Sequence, residues 1–478
     1  METLQRTANR GSISTGYDID NSCKFEIDNS ESIVTTNQAA GNQKTWTWSG
    51  WLKRTELDGT QAFFGAGSTY IRFVSGDTLN VQQSGSSLTT NQVFRDTSAW
   101  YHVVWILDTT QSTEADRSRI YINGSQITSF SSATYPSQNA DLDVGGLGSS
   151  SNWLQLGRWY AGGRRYSGYI AEVHYLNGTV AEPTEFGEYD EDSGIWIPKK
   201  YTGGGYGTQG YYYKFDNSSN LGEDSSGEGH DANSLNNISA ANQALDSPTN
   251  NFAIISNAMR DNNELSYSTV SDGGSRFRTT SEKWVTSVSS IGVTKGKWYA
   301  EFNVIGSRPN NWWGIASMEQ LNNNSGYSSA GSRLGESGKN WSIGYYQANG
   351  KLDEQQNSGY TTTSGWGSVV SQNAIVGVAL DMDNHKLYMS VNNTYQNSGN
   401  PVTGANAITF DDTETVAIAN TGYSLGSGND TITGYNFGGY RTGGLPDNAT
   451  DENGYGAFRY APPSGYYALC TKNLAEYG

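Results

Sequence analysis

Apolar side chains in this chain recur at every second position, in short runs closed by Gly, Asn and Ser. No window sustains the 3.6-residue period of an amphipathic helix. The clearest run, Thr45-Trp46-Thr47-Trp48-Ser49-Gly50-Trp51, alternates large and small residues as a half-buried strand requires. Trp100 to Leu107 is apolar on both faces, which predicts a strand in the middle of a sandwich. Ile120-Tyr121-Ile122-Asn123-Gly124-Ser125-Gln126-Ile127 sets Asn-Gly between apolar runs, the strongest short-range hairpin signal. Leu154 to Gly157 and Gly168 to Tyr175 add two strands, and Asn177-Gly178 turns the chain again. Further on, Lys297 to Val304 and Trp341 to Tyr346 read as strands, and Ala374 to Leu380 pairs with Lys386 to Val391 across a five-residue turn.

Composition agrees with many short strands joined by turns. The chain has 58 glycines among 478 residues and only 16% charged residues, where a helical protein would carry more Ala, Leu, Glu and Lys. The formal charge of −17 repels phosphate backbones and argues against nucleic-acid binding, which draws its affinity from Lys and Arg. Two cysteines, Cys23 and Cys470, make no disulfide framework and read as free thiols formed in a reducing cytoplasm. Met1 to Arg10 is polar and has no apolar core of a signal peptide. No stretch approaches the roughly 20 apolar residues of a membrane span.

The length suits two or three domains. We expect a polar arm over 1–22 and a first sandwich over 23–200. A Gly/Asn/Ser-rich connector should follow over 201–255, then a second sandwich over 256–478, with two cores that close separately. The fold class expected is all-β: two tandem antiparallel β-sandwich domains of jelly-roll type.

The first region resembles the laminin-G/concanavalin-A-like domains of tailed-bacteriophage structural proteins. The resemblance is carried by Gly41 to Arg54, Arg95 to Val104, Ile120 to Gly124, Gly168 to Tyr175 and Phe186-Gly187-Glu188. The join is similar to phage sequence at Gly194 to Lys199, Asp224 to Gly227 and Asp246 to Phe252. The second half resembles a SPRY domain through Gly296 to Phe302, Ile375 to Asn392 and Tyr460 to Leu469. The resemblance implies binding by rim loops, to glycans or proteins. It implies a non-enzymatic virion surface protein, made in the host cytoplasm and oligomeric within the particle. Such a protein would work in attachment, as a tail-fibre or receptor-binding component contacting a host glycan or surface protein. The alternative is a capsid or tail decoration or joining protein bound to other virion proteins, and a glycan hydrolase is a distant third. No coiled-coil or β-helical shaft sequence distinguishes the first two. No cofactor is expected. Some laminin-G-like domains hold calcium through aspartates and backbone carbonyls. No such pair can be placed here, and Asp141 and Asp143 read as solvated loop carboxylates.

Catalytic patterns are weak. Glu188-Tyr189-Asp190-Glu191-Asp192 imitates the carboxylate spacing of glucanases, yet it lies between Gly187 and Gly194 in loop context, which predicts solvated carboxylates of ordinary pKa. Gly422-Tyr423-Ser424-Leu425-Gly426 matches a nucleophile elbow, but that motif needs a strand-to-helix turn in an α/β sheet. His102, His174, His230 and His385 are scattered, without metal-ligand spacing; His102 and His174 sit on strands as satisfied residues. No glycine-rich turn opens a helix to cradle phosphate. Two places remain as ligand or partner candidates. Arg164-Arg165 pairs cations on a Gly-rich loop of an acidic chain. Trp312-Trp313 follows a polar loop, so that one ring faces the core and the other faces outward, unless both pack within the sandwich.

Overall fold

The computed structural model describes residues 16–36, 41–57, 59–144, 153–159, 165–256, 267–280, 282–318, 333–411, 415–426, 430–440, 442–444 and 448–478. The described residues up to Asn250 form one compact unit, and Asn251–Gly478 forms the other. Each is an antiparallel sandwich, in agreement with the expected fold class.

In the first domain one sheet runs, edge to edge, Ser125–Gln126, Ser118–Ile122, Tyr101–Asp108, Thr45–Arg54, Gly168–Asn177, Ser22–Phe25 and Gln243–Ala244. The facing sheet runs Phe130–Thr134, Ser86–Val93, Thr78–Gln83, Thr69–Val74, Gln61–Ala66, Leu154–Leu156, Ser32–Thr35 and Ser234–Asn236. Between them lies a core in which Trp46 and Trp48 from one sheet meet Phe64 from the other. Asn123 and Gly124 take φ of 48° and 77°, the left-handed pair that an Asn-Gly hairpin turn demands.

Two expectations change. The run Thr45 to Trp51 reads as half-buried, yet the outward residues of the strand Thr45–Arg54 are covered too. Residues 181–206 lie across that face, where Ala181, Phe186 and Tyr206 pack on Val104 and Leu176. The second change concerns the connector. Tyr211–Tyr213 pairs with Gly168–Asn177, Ser234–Asn236 with Ser32–Thr35, and Gln243–Ala244 with Ser22–Phe25. Up to Asn250 the stretch read as a linker therefore belongs to the first domain. Its composition is loop-like because its strands are two or three residues long and lie outside the central ladders.

At the end of Ser22–Phe25, Ser167 Oγ donates to Glu26 Oε1 at 3.2 Å, and Glu26 also shares a hydrogen bond with Glu56. Burial first, then the Glu26 and Asp28 charges, push the Glu56 carboxyl up to about 8. An acid with a raised folded pKa holds its proton more tightly folded than unfolded. Its contribution to stability is complete below about pH 4.5 and is lost as pH rises toward 8. Glu56→Gln should therefore flatten the fall in melting temperature between pH 5 and 8, and raise the melting point at pH 8. A variant with the wild-type pH slope would show that the two carboxyls share no proton.

In the second domain the larger sheet is centred on Lys297–Val304, between Ile375–Asp381 and Ile432–Asn436. The facing sheet runs Trp284–Val288, Val416–Tyr423, Asn311–Ser317, Ser342–Tyr346, Leu352–Gln356 and Gly359–Thr363. Trp298, Trp313 and Trp341 fill the space between. A short helix, Thr471–Tyr477, follows the Tyr467–Ala468 strand, which pairs parallel to Lys297–Val304. Among the described residues no helix is long and apolar enough to cross a membrane.

Candidate functional site

Strand alternation builds a polar face on the outside of the second sheet of the first domain. Ile71 and Phe73 point to the core, so Tyr70 and Arg72 point away from it. Leu79 and Val81 do the same for Asn80, and Leu154 and Leu156 for Gln155. The register then sets Arg72 opposite Asn80, while Gly65 pairs with Tyr70 on one side and Gln155 on the other. A Cβ built on Gly65 would come within 2.4 Å of Tyr70 Cβ, so glycine there lets the tyrosine lie across the sheet.

Trp159 closes one end of this face. Its ring lies 4.4 Å from that of Tyr70, and its indole N–H donates to the Gly67 carbonyl at 2.6 Å. On Tyr70 the Arg72 guanidinium is centred 4.9 Å from the ring. Arg72 Nε donates to Asn80 Oδ1 at 3.0 Å, and the Asn80 amide nitrogen donates to Ser87 Oγ, the Leu88 carbonyl and Thr89 Oγ1. Arg158 Nε donates to Gln155 Oε1 at 2.6 Å. Tyr70, Asn80 and Gln155 are buried, whereas Arg72, Arg158 and Trp159 are partly exposed. The Trp159 ring and oriented guanidinium groups thus sit on a floor of Tyr70 and of amides whose bonds are already made. Flat aromatic faces take the C–H side of a sugar ring, and fixed planar donors take its hydroxyls.

The sequence candidates fall unevenly on this geometry. Arg165 forms an isolated bridge with Arg158, which brings it beside the face; Arg164 lies outside the described residues. The tryptophan pair requires a correction. Trp313 is 0% and Trp312 3% exposed, so neither ring is presented to a ligand as an exposed anchor. Trp313 is part of the sandwich core, and Trp312 is covered on the other face by Leu334 and Met318. Tyr70, Arg72 and Trp159 were not singled out. Only the alternation of Ile71 and Phe73 with Tyr70 and Arg72 could have indicated them.

The carboxylate run also differs from its reading as a loop. Gly187–Tyr189 is a strand of a two-stranded hairpin with Trp196–Pro198. Glu188 is exposed beside Lys199 at 3.5 Å. Asp190, also solvated, has its pKa below the ordinary value because it accepts from the Ser193 hydroxyl and backbone N–H. Ser424 follows an antiparallel strand, and its hydroxyl donates to Asp430 at 3.0 Å. Asp141 pairs with Lys44 at 3.6 Å, and Asp143 accepts from the Ser68 N–H at 2.5 Å, so the two do not converge on a cation. Among the described residues no group of three His, Cys, Asp or Glu side chains is arranged to hold a metal.

Both strand histidines are buried and bonded. His102 Nδ1 accepts from the Trp196 indole at 3.0 Å, its Nε2 lies 2.8 Å from Ser49 Oγ, and burial pushes its pKa down to about 3. His174 stacks on Tyr212 at 4.2 Å beside Glu172, whose φ of 50° sits in a β-bulge. Tyr17 and Tyr212 donate to the Glu172 carboxylate. Burial pushes the Glu172 pKa up, but His174 and the two tyrosines outweigh it and hold it below the usual value. No sequence pattern signalled this cluster, since its members are separated by up to 195 positions. It pins residues 17 and 206–212 to the sheet.

Residues 28–183, which include the whole of the Trp159–Tyr70–Arg72 face, match the family model described as the concanavalin A-like lectin/glucanases superfamily, Laminin_G_3. No curated protein matches the chain. Among solved structures, the SPRY domain of human HERC1 is similar at 14% identity and a TM-score of 0.27, over 37% of this chain and 96% of that one. A proposed carbohydrate binding protein from Bacteroides ovatus is similar at 17% identity and a TM-score of 0.33, over 46% of this chain and 59% of that one.

Proposed function

We propose that this protein binds glycans without cleaving them, and that the Trp159–Tyr70–Arg72 face of the first domain takes the sugar. The stack of aromatic ring and guanidinium on a bonded amide floor carries the reading. The lectin-like family match over the same residues supports it. The non-catalytic part is supported by the exposed Glu188 and the partly exposed Asp190, and by the burial of Glu172 and His174 behind their own partners. Attachment at the surface of a phage particle is the finer proposal, and it is supported by the sequence resemblance alone.

Trp159→Ala combined with Arg72→Ala should weaken the best glycan ligand, found on an array and titrated by calorimetry, about thirtyfold. The melting temperature should stay within about 2 °C, since both side chains are partly exposed. Unchanged affinity would place sugar binding elsewhere. Cleavage of that glycan, abolished by Glu172→Gln, would overturn the non-catalytic reading. Host adsorption and incorporation into particles, measured for the same double variant, separate an attachment role from a role in joining virion proteins.

A further inference from the structure

The outer face of the six-stranded sheet in the second domain carries a row of aromatic rings. Alternation along Asn311–Ser317 sends Trp313 and Ile315 to the core and Trp312 to the opposite face. Trp312 lies opposite Tyr346 on one neighbouring strand and Thr421 on the other; two residues on, Tyr423 lies opposite Trp284. The rings follow the register. Trp312 and Tyr346 stack with centroids 3.7 Å apart and planes 15° from parallel. Trp284 meets Trp312 edge-on at 4.7 Å and Tyr423 at 4.5 Å. The four rings therefore cross four adjacent strands, roughly 15 Å at about 5 Å per strand. Trp312 is their floor, whereas Trp284, Tyr346 and Tyr423 are partly exposed.

A charged group ends the row. The Asp353 side chain, itself 0% exposed, receives Arg333 at 3.0 Å and Lys351 at 2.8 Å. It also accepts from the Trp312 indole at 3.3 Å, Thr362 at 2.8 Å and Tyr360 at 3.3 Å. Burial raises the Asp353 pKa, but Lys351, Thr362 and Arg333 outweigh it, so the carboxylate is ionised. The guanidinium is centred 5.1 Å from the Trp312 ring, and the Lys351 ammonium lies 5.8 Å from that of Tyr346. Two cations share the buried Asp353 carboxylate, and a second carboxylate, that of Glu336, accepts from the Arg333 backbone N–H at 2.9 Å. Donors remain as well. Arg333 has five N–H groups and meets Asp353 and the Leu334 carbonyl through one terminal nitrogen; Lys351 has three.

We infer that this face is a second binding site, for a sugar chain that carries carboxylates. Successive sugar rings offer flat C–H faces to Trp284, Tyr423 and Tyr346, and their acid groups meet the N–H donors of Arg333 and Lys351 that Asp353 does not take. An acidic peptide offers the charge without the succession of flat faces. The site is independent of the first-domain face, since no residue is common to both.

The test uses the full chain titrated calorimetrically with hexagalacturonate, neutral maltohexaose and hexaglutamate. Hexagalacturonate should bind, more weakly as salt rises, and should bind better than maltohexaose; hexaglutamate should not compete. Trp284→Ala should weaken hexagalacturonate binding about tenfold or more. Lys351→Gln should remove the preference for the acidic hexamer over the neutral one, with a cooperative unfolding transition in calorimetry as the control for folding. Trp159→Ala, in the first domain, should leave this binding untouched. Absence of hexagalacturonate binding overturns the inference, as does binding insensitive to both Trp284→Ala and Lys351→Gln. Loss of binding in Trp159→Ala alone would assign the ligand to the first-domain face and overturn the second site while leaving the proposed function standing. Competition by hexaglutamate would make the face a peptide site.

Discussion

Asp246→Asn is expected to destabilise the first domain by about 3–5 kcal/mol, the usual consequence of removing one partner of a buried ion pair. Lys53 is 0% and Asp246 1% exposed, with Nζ 2.6 Å from Oδ2. The other carboxylate oxygen accepts from the Trp100 indole at 3.1 Å. Burial pulls the Lys53 pKa down and the Asp246 charge pulls it back up. Without that charge only the weaker pull of Asp96 opposes the penalty of burial. At about 2–4 °C per kcal/mol for a domain of this size, the melting transition of the first domain should drop by roughly 10 °C. The double change Lys53→Met with Asp246→Leu should recover much of the loss, because an apolar pair needs no compensating charge. A shift under about 2 °C in differential scanning calorimetry would show that the pair carries no such weight. The same contact predicts that a fragment ending at residue 200 will not fold, whereas one ending at Asn250 will.

Trp313→Ala should lower the stability of the second domain by about 3–5 kcal/mol, whereas Trp284→Ala should lower it by less than about 1 kcal/mol. Trp313 is fully enclosed between the two sheets, and Trp284 is partly exposed on the outer face. Among the described residues the Trp313 indole N–H has no hydrogen-bond partner. Phenylalanine at position 313 removes that unmet donor along with some ring volume, so Trp313→Phe should cost only about 1–2 kcal/mol. Chemical denaturation monitored by circular dichroism would give both values. Equal losses for Trp284→Ala and Trp313→Ala would contradict the assignment of the two rings to opposite faces.

Much of the strand pattern was legible because it is local. Lys297–Val304 and the Asn123-Gly124 turn follow from alternation and from the φ values that Asn and Gly accept. The short strands at 211–213, 234–236 and 243–244 were not legible. Two or three residues hold too little alternation to read, and their pairing partners lie about 36 to 222 positions away. The candidate face was half legible. Tyr70 and Arg72 alternate visibly with Ile71 and Phe73, but their meeting with Trp159 across some ninety positions is a matter of packing.

Period-two alternation by itself determined that this chain is all-β and antiparallel, since helical spacing is missing and turns recur at short intervals. It also determined which side of each strand an aromatic residue occupies relative to its neighbours, as with Trp312 and Trp313. What lies over that side is a different question, and only the tertiary structure answers it. Thr45–Arg54 is buried on both faces because residues 181–206 return across it, and Lys53 is buried because Asp246 arrives from the far end of the domain. Alternation is a property of successive residues, whereas burial depends on segments distant in the chain. The outer sheet faces of the two domains therefore became candidate sites only once the strands had been laid side by side.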